Sequence, residues 1–292
     1  MKRFIVIFLI FSASNLIAQH SFWKKSDTLD LKKRKTLVIG GSSAYVLSMV
    51  GINQLWYAGF DRSSLHSVDD NQEWLQMDKF GHIMTSYYVG KVGMELLDWA
   101  GESRKNQLIY GASLGFVFLS TVEMFDGYSK EWGFSFGDIA ANASGTGLLI
   151  GQELLWKEQR IQLKYSFHQT RFAKQNPELL GENFIENTLK DYNGQTYWLS
   201  ANIWSFKKES KFPKWLNIAF GYGAENMITA NVTPNDNRFR QYYLGLDVDL
   251  TKIKTKSKFL KTVFSAVNFI KIPAPTISYS PEEKFKIYAF YF

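Results

Sequence analysis

Seven polar residues stand inside otherwise apolar segments of the sequence, most of them three or four positions apart. They are Asp78, Lys79, His82, Glu123, Asp126, Asp138 and Asn142. Residues at this spacing share one side of an α-helix. If three helices pack with these sides inward, several carboxylates and one imidazole converge at one place.

Three kinds of chemistry fit such a cluster. The first is divalent metal binding by the imidazole and the carboxylates. The second is an acid–base site, in which a neighbouring carboxylate tunes His82. The third is a structural network, in which Lys79 neutralises one carboxylate and Asn142 satisfies a backbone group. The metal ligands would be Asp78, His82, Glu123 and Asp138.

Other residue types restrict the catalytic interpretation. The chain has four histidines, and no second histidine lies near His82 at ligand spacing. It carries no serine nucleophile elbow, no glycine-rich phosphate loop and no HExxH motif. The sequence therefore favours the structural network, leaves enzyme activity open and identifies no cofactor.

Residues 36–156 have the composition of about four apolar helices, which would carry these polar residues. Residues 36–60 include no charged side chain and are long enough to cross a bilayer. The later helices are shorter, so the unit lies in or against a membrane or forms the core of a soluble bundle. Small residues at four-residue spacing predict close packing of the last helix. They are Ala141, Gly145, Gly147 and Gly151.

After residue 156 the period of the sequence changes to two. Residues 242–250 alternate between two kinds of side chain, as in a strand with one apolar face. Residues 258–270 have a helical pattern with basic residues. The sequence predicts an α+β fold, with an N-terminal bundle of about four apolar helices and an antiparallel, aromatic-rich β region over 157–292. Further strands are expected at 160–168, 196–206, 215–225 and 284–292.

The final predicted strand alternates the aromatic residues Tyr288, Phe290 and Phe292. A terminal strand of this kind resembles the sorting signal of outer-membrane β-barrel proteins. Against this interpretation, only five or six strands are predicted, and a closed membrane barrel usually has at least eight. The strands could instead complete a sheet against the helices, with a second copy of the chain, or as an ordinary soluble sheet.

The first 19 residues have the features of a signal peptide. Lys2 and Arg3 precede an apolar run at 4–11 that is too short to span a bilayer. Residues 20–35 are expected to form a basic linker. The sequence contains no cysteine, which excludes disulfides, thiolate metal sites and a lipid-modified cysteine. The net charge of +7 is not accompanied by the pattern of an RNA-binding sheet, so nucleic acid is not expected as a partner.

The polar residues occur in an ordered motif. It reads Asp78-Lys79-x-x-His82, then Glu123, then Ser135-x-x-Asp138-x-x-x-Asn142-x-x-Gly145. This pattern resembles that of VanZ-like membrane proteins and is more similar still to the YfiM-like family of predicted periplasmic or envelope lipoproteins. The resemblance covers residues 76–152 and implies an envelope location, but it implies no reaction. The missing lipoprotein cysteine is a departure from that family.

Taken together, the sequence predicts an exported, membrane-associated envelope protein with a structural or interaction role, and it favours the outer membrane. The alternative is a metal-assisted or acid–base enzyme that acts on an envelope lipid or glycan. The expected partners are the membrane and either another envelope protein or a second copy of the chain.

Overall fold

The computed structural model describes Phe22 and residues 24–232 and 237–292. The signal peptide predicted for residues 1–19 lies outside this part of the chain. Residues 31–35, expected in the basic linker, form the beginning of a helix. The carboxylate of Asp30 accepts hydrogen bonds from the backbone N–H groups of Lys32 and Lys33. A side chain that pairs these otherwise unsatisfied donors caps the helix N-terminus and stabilises it.

Four longer helices form the N-terminal half of the described chain. They are α1 (Leu31–Ile52), α2 (Met77–Trp99), α3 (Arg104–Gly127) and α4 (Phe136–Leu155). α1 continues into a widened turn at Asn53–Tyr57, and α3 contains a similar turn at Gln107–Ala112. Two short strands, β1 (Ser67–Val68) and β2 (Phe134–Ser135), pair in parallel.

α2, α3 and α4 pack closely, whereas α1 lies at the periphery. Gly115 of α3 and Gly145 of α4 permit this packing, because a Cβ at either would collide with the α2 backbone at Ser86 and Ile83, respectively. α1 reaches α3 through few side chains, among them Tyr45, and most of its surface is exposed. The predicted N-terminal bundle of about four helices is therefore not clearly formed: three helices pack and the fourth is peripheral.

The C-terminal half contains a six-stranded antiparallel sheet whose strands neighbour one another in chain order. They are β3 (Ile161–Phe167), β4 (Gln195–Asn202), β5 (Leu216–Glu225), β6 (Phe239–Val248), β7 (Ala274–Ser280) and β8 (Lys284–Tyr291). The connections contain α5 (Pro177–Leu180), α6 (Phe184–Lys190), α7 (Ile203–Phe206) and α8 (Lys258–Val267). The α+β class and the antiparallel sheet are confirmed.

β7 is the strand of this sheet that the sequence did not predict, and it contains Pro275, which has no backbone N–H to donate. Pro275 lies where the register between β7 and β8 is irregular, and such a position tolerates the missing N–H. The irregularity also changes the order of side chains along β8. Tyr288 and Tyr291 lie on one side with their rings 4.9 Å apart, so the expected alternation of Tyr288 with Phe290 on one face is wrong.

One face of the sheet, called the inner face below, is buried and largely polar. Trp198 of β4 and Tyr243 of β6 contact each other there, and Tyr291 of β8 stacks on Tyr243 at 4.7 Å. The rings of Trp198 and Tyr291 are 6.2 Å apart although β4 and β8 are separated by three strands, so the sheet is strongly curved. The edge of β3 that faces away from β4 is partly covered by residues 269–271. Tyr165 donates a backbone hydrogen bond to Phe269 and accepts one from Lys271. The inner face includes Gln162, Lys164, Ser200, Asn202, Asn217, Asp247, Thr276 and Ser278.

The opposite, outer face of the sheet is apolar. The helices cover part of it over β3–β5: Phe80 of α2 stacks on Tyr222 at 4.6 Å, and the Tyr88 hydroxyl donates to the carbonyl of Leu163 at 2.5 Å. These contacts fix α2 on the sheet. Leu199, Ile218 and Phe220 on the same face remain exposed. Over β6–β8 the outer side chains remain exposed. They are Leu244, Leu246, Ile277, Tyr279, Phe285, Ile287 and Phe290.

Candidate functional site

Three helices bring the predicted polar residues together near the beginning of α2. Asp78, Lys79 and His82 lie in the first two turns of α2. The other members lie near the end of α3 and at the beginning of α4. They are Glu123, Asp126, Asp138 and Asn142.

The chain enters α2 through a strained turn. Residues 74–76 have positive φ angles of 46°, 50° and 66°. Such conformations cost about 1–3 kcal/mol each and persist only when the surroundings enforce them. Here the sheet does so: the Tyr222 hydroxyl donates to the carbonyl of Leu75 at 2.5 Å, and Arg240 donates to the Gln76 side chain at 2.8 Å. The β region thus fixes the position at which α2 begins.

Ser135, at the junction of β2 and α4, contacts two carboxylates of the site and the backbone of a third acidic residue. Its hydroxyl accepts a hydrogen bond from the Asp138 N–H at 3.1 Å, which caps α4, and donates to Asp70 Oδ1 at 2.6 Å. Its own N–H donates to Glu123 Oε2 at 3.2 Å. One small side chain and its amide therefore hold α3, α4 and the loop before α2 in register.

Lys79 lies among three carboxylates. Its ammonium is 2.6 Å from Asp70, 3.0 Å from Asp78 and 2.9 Å from Asp138. All four side chains are mostly buried, so water screens these charges weakly. Removing the ammonium would leave the carboxylates uncompensated in a poorly solvated place, which is strongly destabilising.

His82 faces two further carboxylates. Its Nδ1 is 3.0 Å from Asn142 Oδ1, while its Nε2 is 3.8 Å from Glu123 Oε1 and 3.9 Å from Asp138 Oδ1. A hydrogen bond of this type has donor and acceptor about 2.7–3.2 Å apart. The Nε2 atom therefore lies near both carboxylates without a hydrogen bond to either.

Asp126 has a different partner from the other predicted residues. The hydroxyl of Tyr57, in the turn after α1, donates to Asp126 Oδ1 at 2.7 Å. The Tyr57 ring also packs against Phe125 and Trp132. Asp126 thus serves to attach the end of α1 to α3.

The pKa values of the acidic groups around Lys79 are shifted in different directions. Burial raises the pKa of Asp138 to about 6, although His82 and Lys79 oppose the shift. Burial likewise raises the pKa of Asp78. Burial would also raise the pKa of Asp70, but hydrogen bonds from Lys79 and Ser135 keep it below its usual value. Desolvation disfavours the charged form of Lys79, yet the surrounding carboxylates raise its pKa.

The structure thus brings six of the seven predicted polar residues into one cluster, with Asp126 at its edge. Two members, Asp70 and Tyr57, were not predicted, because neither lies at helical spacing from the others. Of the predicted packing residues, Ala141 and Gly145 are buried. A Cβ at Gly147 or Gly151 would meet no described atom within 4 Å, so these two face open space.

Two sets of atoms within the cluster have spacings compatible with a metal ion. They are His82 with Glu123 and Asp138, and Asp70 with Asp78 and Asp138. Lys79 lies within 3.0 Å of every member of the second set, so its ammonium already supplies the positive charge there. The structural, metal-binding and acid–base interpretations all remain predictions at this point.

Comparison with known proteins concerns this same region. Residues 66–151 match a family described as "Predicted periplasmic lipoprotein (DUF2279)". The match covers less than a third of the chain and includes the cluster from Asp70 to Asn142. It supports an exported protein of the cell envelope whose role is unknown. The 292 residues contain no cysteine to which a lipid could be attached.

No curated protein matches the chain. No solved structure matches it either.

Proposed function

We propose that this chain is a non-enzymatic envelope protein held in the outer membrane. In this proposal the outer face of β6–β8 and the surface of α1 contact lipid, and the polar cluster stabilises the packed helices. The single observation that carries it is the inverted sheet, which is polar on its buried face and apolar on its exposed face.

The register of the strands makes this inversion systematic. Leu244 of β6 lies opposite Ile277 of β7, which lies opposite Ile287 of β8, and all three are exposed. Ile287 is 82% exposed. In water, each such side chain forgoes the roughly 1.5–3 kcal/mol that burial of an aliphatic side chain provides. A lipid environment restores that stabilisation, and a monomer in water rarely exposes so continuous an apolar face.

The inner face supports the same environment. Lys164 and Asp247 form an ion pair there at 2.9 Å, and Ser200 donates a hydrogen bond to Asp247 at 2.6 Å. Gln162 donates to Asp249 at 2.9 Å. Strands with a polar interior and an apolar exterior are typical of outer-membrane barrels and not of soluble antiparallel sheets.

The helical half adds a second apolar surface. Within the described chain, α1 and α3 are long and apolar enough to cross a membrane, as judged by length and composition. Only 6% of the most apolar stretch of α1 is buried. Its exposed side chains include Val38, Ile39, Val46, Leu47 and Val50. Lipid contact gives these side chains the apolar surroundings that the rest of the protein does not provide.

The finer family assignment belongs to this proposal. We assign the helical unit to the YfiM-like pattern with a VanZ-like motif, which is supported by the convergence of Lys79, His82 and Asp138 in one place. The polar inner face and apolar outer face of the sheet favour the outer over the inner membrane, because this distribution is typical of outer-membrane strands.

A charge-insertion experiment tests the lipid contact. Ile287→Arg should reduce recovery of folded protein in the outer-membrane fraction, because a cation on a lipid-facing strand costs about 2–4 kcal/mol at mid-bilayer. Glu282→Arg, in the exposed turn before β8, is the matched control and should fractionate like the unaltered chain. Recovery of the unaltered chain in the soluble periplasm, or equal membrane recovery of both variants, would contradict the proposal.

A second experiment tests the terminal sorting signal. Deletion of Phe292 should lower the amount of assembled protein in the outer membrane, whereas Phe292→Trp keeps an aromatic end and should assemble normally. Normal assembly of the deletion variant would contradict the proposal that the C-terminal strand directs the chain to the outer membrane.

A further inference from the structure

We infer that His82, Glu123 and Asp138 form a binding site for a divalent transition-metal ion of the zinc class. The site lies where α2, α3 and α4 meet, away from the outer face of β6–β8. The inference is therefore independent of the proposed membrane contact and can fail without it.

The first argument is the spacing of the three ligand atoms. Zn²⁺ binds imidazole nitrogen and carboxylate oxygen at about 2.0–2.2 Å, so two ligands on opposite sides of one ion are at most about 4.4 Å apart. His82 Nε2 is 3.8 Å from Glu123 Oε1 and 3.9 Å from Asp138 Oδ1, and all three atoms lie within 4.8 Å of one another. These separations are too long for hydrogen bonds and short enough for a shared ion after small side-chain movements.

The second argument is the orientation of the imidazole. His82 Nδ1 lies 3.0 Å from Asn142 Oδ1, an atom that only accepts hydrogen bonds, so in the neutral imidazole Nδ1 carries the proton and the lone pair of Nε2 faces the two carboxylates. A metal-binding histidine usually donates its other N–H to a carbonyl or carboxylate in this way, which fixes both tautomer and ring position. Asn142 is fully buried; its Oδ1 contacts His82, and its Nδ2 has no hydrogen-bond partner within the described residues.

The third argument is the unsatisfied state of buried carboxylate oxygens. Glu123 is 1% exposed, and its one hydrogen bond within the described chain goes from the Ser135 N–H to Oε2, which leaves Oε1 facing His82. Asp138 is 5% exposed, and its Oδ1 has no partner within the described residues beyond the Lys79 ammonium at 2.9 Å, which Asp70 and Asp78 share. Buried carboxylates without adequate partners are costly, and a cation would stabilise both.

The charge balance points the same way. Asp70, Asp78, Glu123 and Asp138 contribute four acidic groups, and Lys79 is the one lysine or arginine that forms an ion pair with any of them within the described residues. Lys79 reaches Asp70, Asp78 and Asp138 but has no ion pair with Glu123. The acidic group without a lysine or arginine partner therefore lies on the His82 side, where imidazole nitrogen and carboxylate oxygen together suit zinc-like ions better than Mg²⁺ or Ca²⁺.

A partly open route leads to the ligands. The His82 side chain is 21% exposed, in contrast to the nearly buried Glu123 and Asp138. An ion can thus arrive at His82 from solvent and complete its coordination with water. Three protein ligands would leave the fourth position of a tetrahedral zinc ion to water or another ligand.

Metal binding by the full chain tests the inference. The protein is purified in detergent, stripped with a chelator and equilibrated with Zn²⁺, and bound zinc is measured by mass spectrometry and titration calorimetry. We expect one equivalent, which His82→Ala and the nearly isosteric Glu123→Gln weaken at least tenfold. His168→Ala is the matched control, because His168 is exposed and outside the cluster, and it should bind like the unaltered chain.

A purely structural cluster gives a different result. In that case the unaltered chain binds no stoichiometric zinc, or His82→Ala and Glu123→Gln bind as tightly as it does, and either outcome overturns the inference. If a variant fails to fold, Co²⁺ absorption of the unaltered chain decides the question, since d–d bands of a coordinated site with nitrogen and oxygen ligands are expected and an aqua-ion spectrum would contradict the site.

Discussion

The ammonium of Lys164 and the carboxylate of Asp247 lie 2.9 Å apart on the inner face of the sheet, and neither side chain is exposed. Lys164 also donates to the carbonyl of Val248 at 2.7 Å. Asp247 accepts hydrogen bonds from Ser200 and from the backbone N–H of Ile272. This pair joins β3 to β6, which are not neighbours in the sheet, and so stabilises its curvature.

Breaking this pair should destabilise the β region severely. Lys164→Met leaves the Asp247 carboxylate buried without its cation, and we expect a loss of about 3–5 kcal/mol in the free energy of unfolding. The double variant Lys164→Met with Asp247→Leu should recover much of that loss. Denaturant unfolding in detergent measures both. Equal stability of the single variant and the unaltered chain would show that the pair contributes little.

Two glycines on α4 should respond oppositely to the same substitution. A Cβ at Gly145 would collide with the carbonyl of Ile83, so Gly145→Ala must separate α2 from α4 and disturb the cluster. Gly147 faces open space, so Gly147→Ala should be neutral or stabilising by up to about 1 kcal/mol through helix propensity. Thermal unfolding of the two variants checks this contrast, and an equal effect would contradict the observed packing of α4.

The sequence revealed the polar cluster because helical spacing is a local property. Asp78 and His82, or Asp138 and Asn142, must share a side of any helix that contains them. Asp70 and Tyr57 were not predicted because they lie too far along the sequence from their partners for helical spacing and reach them only through tertiary contacts, Asp70 with Lys79 and Tyr57 with Asp126. The sequence also does not show which side of α4 is packed, because Gly145 and Gly147 are the same residue type and differ only in their spatial neighbours.

The curved sheet is a second feature that the sequence alone does not reveal. Alternation along β6 predicts two distinct faces, but it does not say which face is buried. A soluble sheet would bury Leu244 and Leu246, and this sheet buries Tyr243 and Asp247. The partner of Asp247 is Lys164, which lies over 80 residues earlier in the sequence. The curvature of the sheet brings Lys164 and Asp247 together, and no local sequence pattern indicates that curvature.

Asp70 should give the stability a defined dependence on pH. Its pKa is held below the usual 3.8 by hydrogen bonds from Lys79 and Ser135, which outweigh the effect of burial. A carboxylate with a lowered pKa stabilises the folded state above its unfolded pKa, and this contribution is lost as the pH falls through and below about 4. Asp70→Asn should therefore destabilise the protein at pH 7 and have a smaller effect near pH 3.

Asp61→Asn serves as the control for this pH dependence. Asp61 pairs with Lys130 on the surface at 2.9 Å, and such exposed pairs contribute about 0–1 kcal/mol. Its replacement should leave the pH profile of stability nearly unchanged. A difference between Asp70→Asn and the unaltered chain that is constant from pH 3 to pH 7 would show that the Asp70 charge is not what stabilises the site.

If the sheet lies in lipid, the unpaired edge of its last strand, β8, predicts an oligomer. Within the residues that the structure describes, β8 pairs with β7 on one side and has no strand on the other. Unpaired backbone N–H and C=O groups are very costly in a bilayer. We therefore expect two copies of the chain to pair through β8 edge to edge, which a two-fold axis permits. Native mass spectrometry in detergent should then show a dimer.

The absence of cysteine makes the pairing directly testable. Single cysteines placed in turn at positions 285–290 should yield disulfide-linked dimers in membranes at the positions near the two-fold axis, since the chain has no other thiol. A cysteine in place of the exposed Lys208, before β5, should not crosslink. A monomer in mild detergent, with no crosslinking along β8, would mean that this edge stays unpaired. The outer face of the sheet would then not lie in lipid, because its edge strand could not be accommodated there.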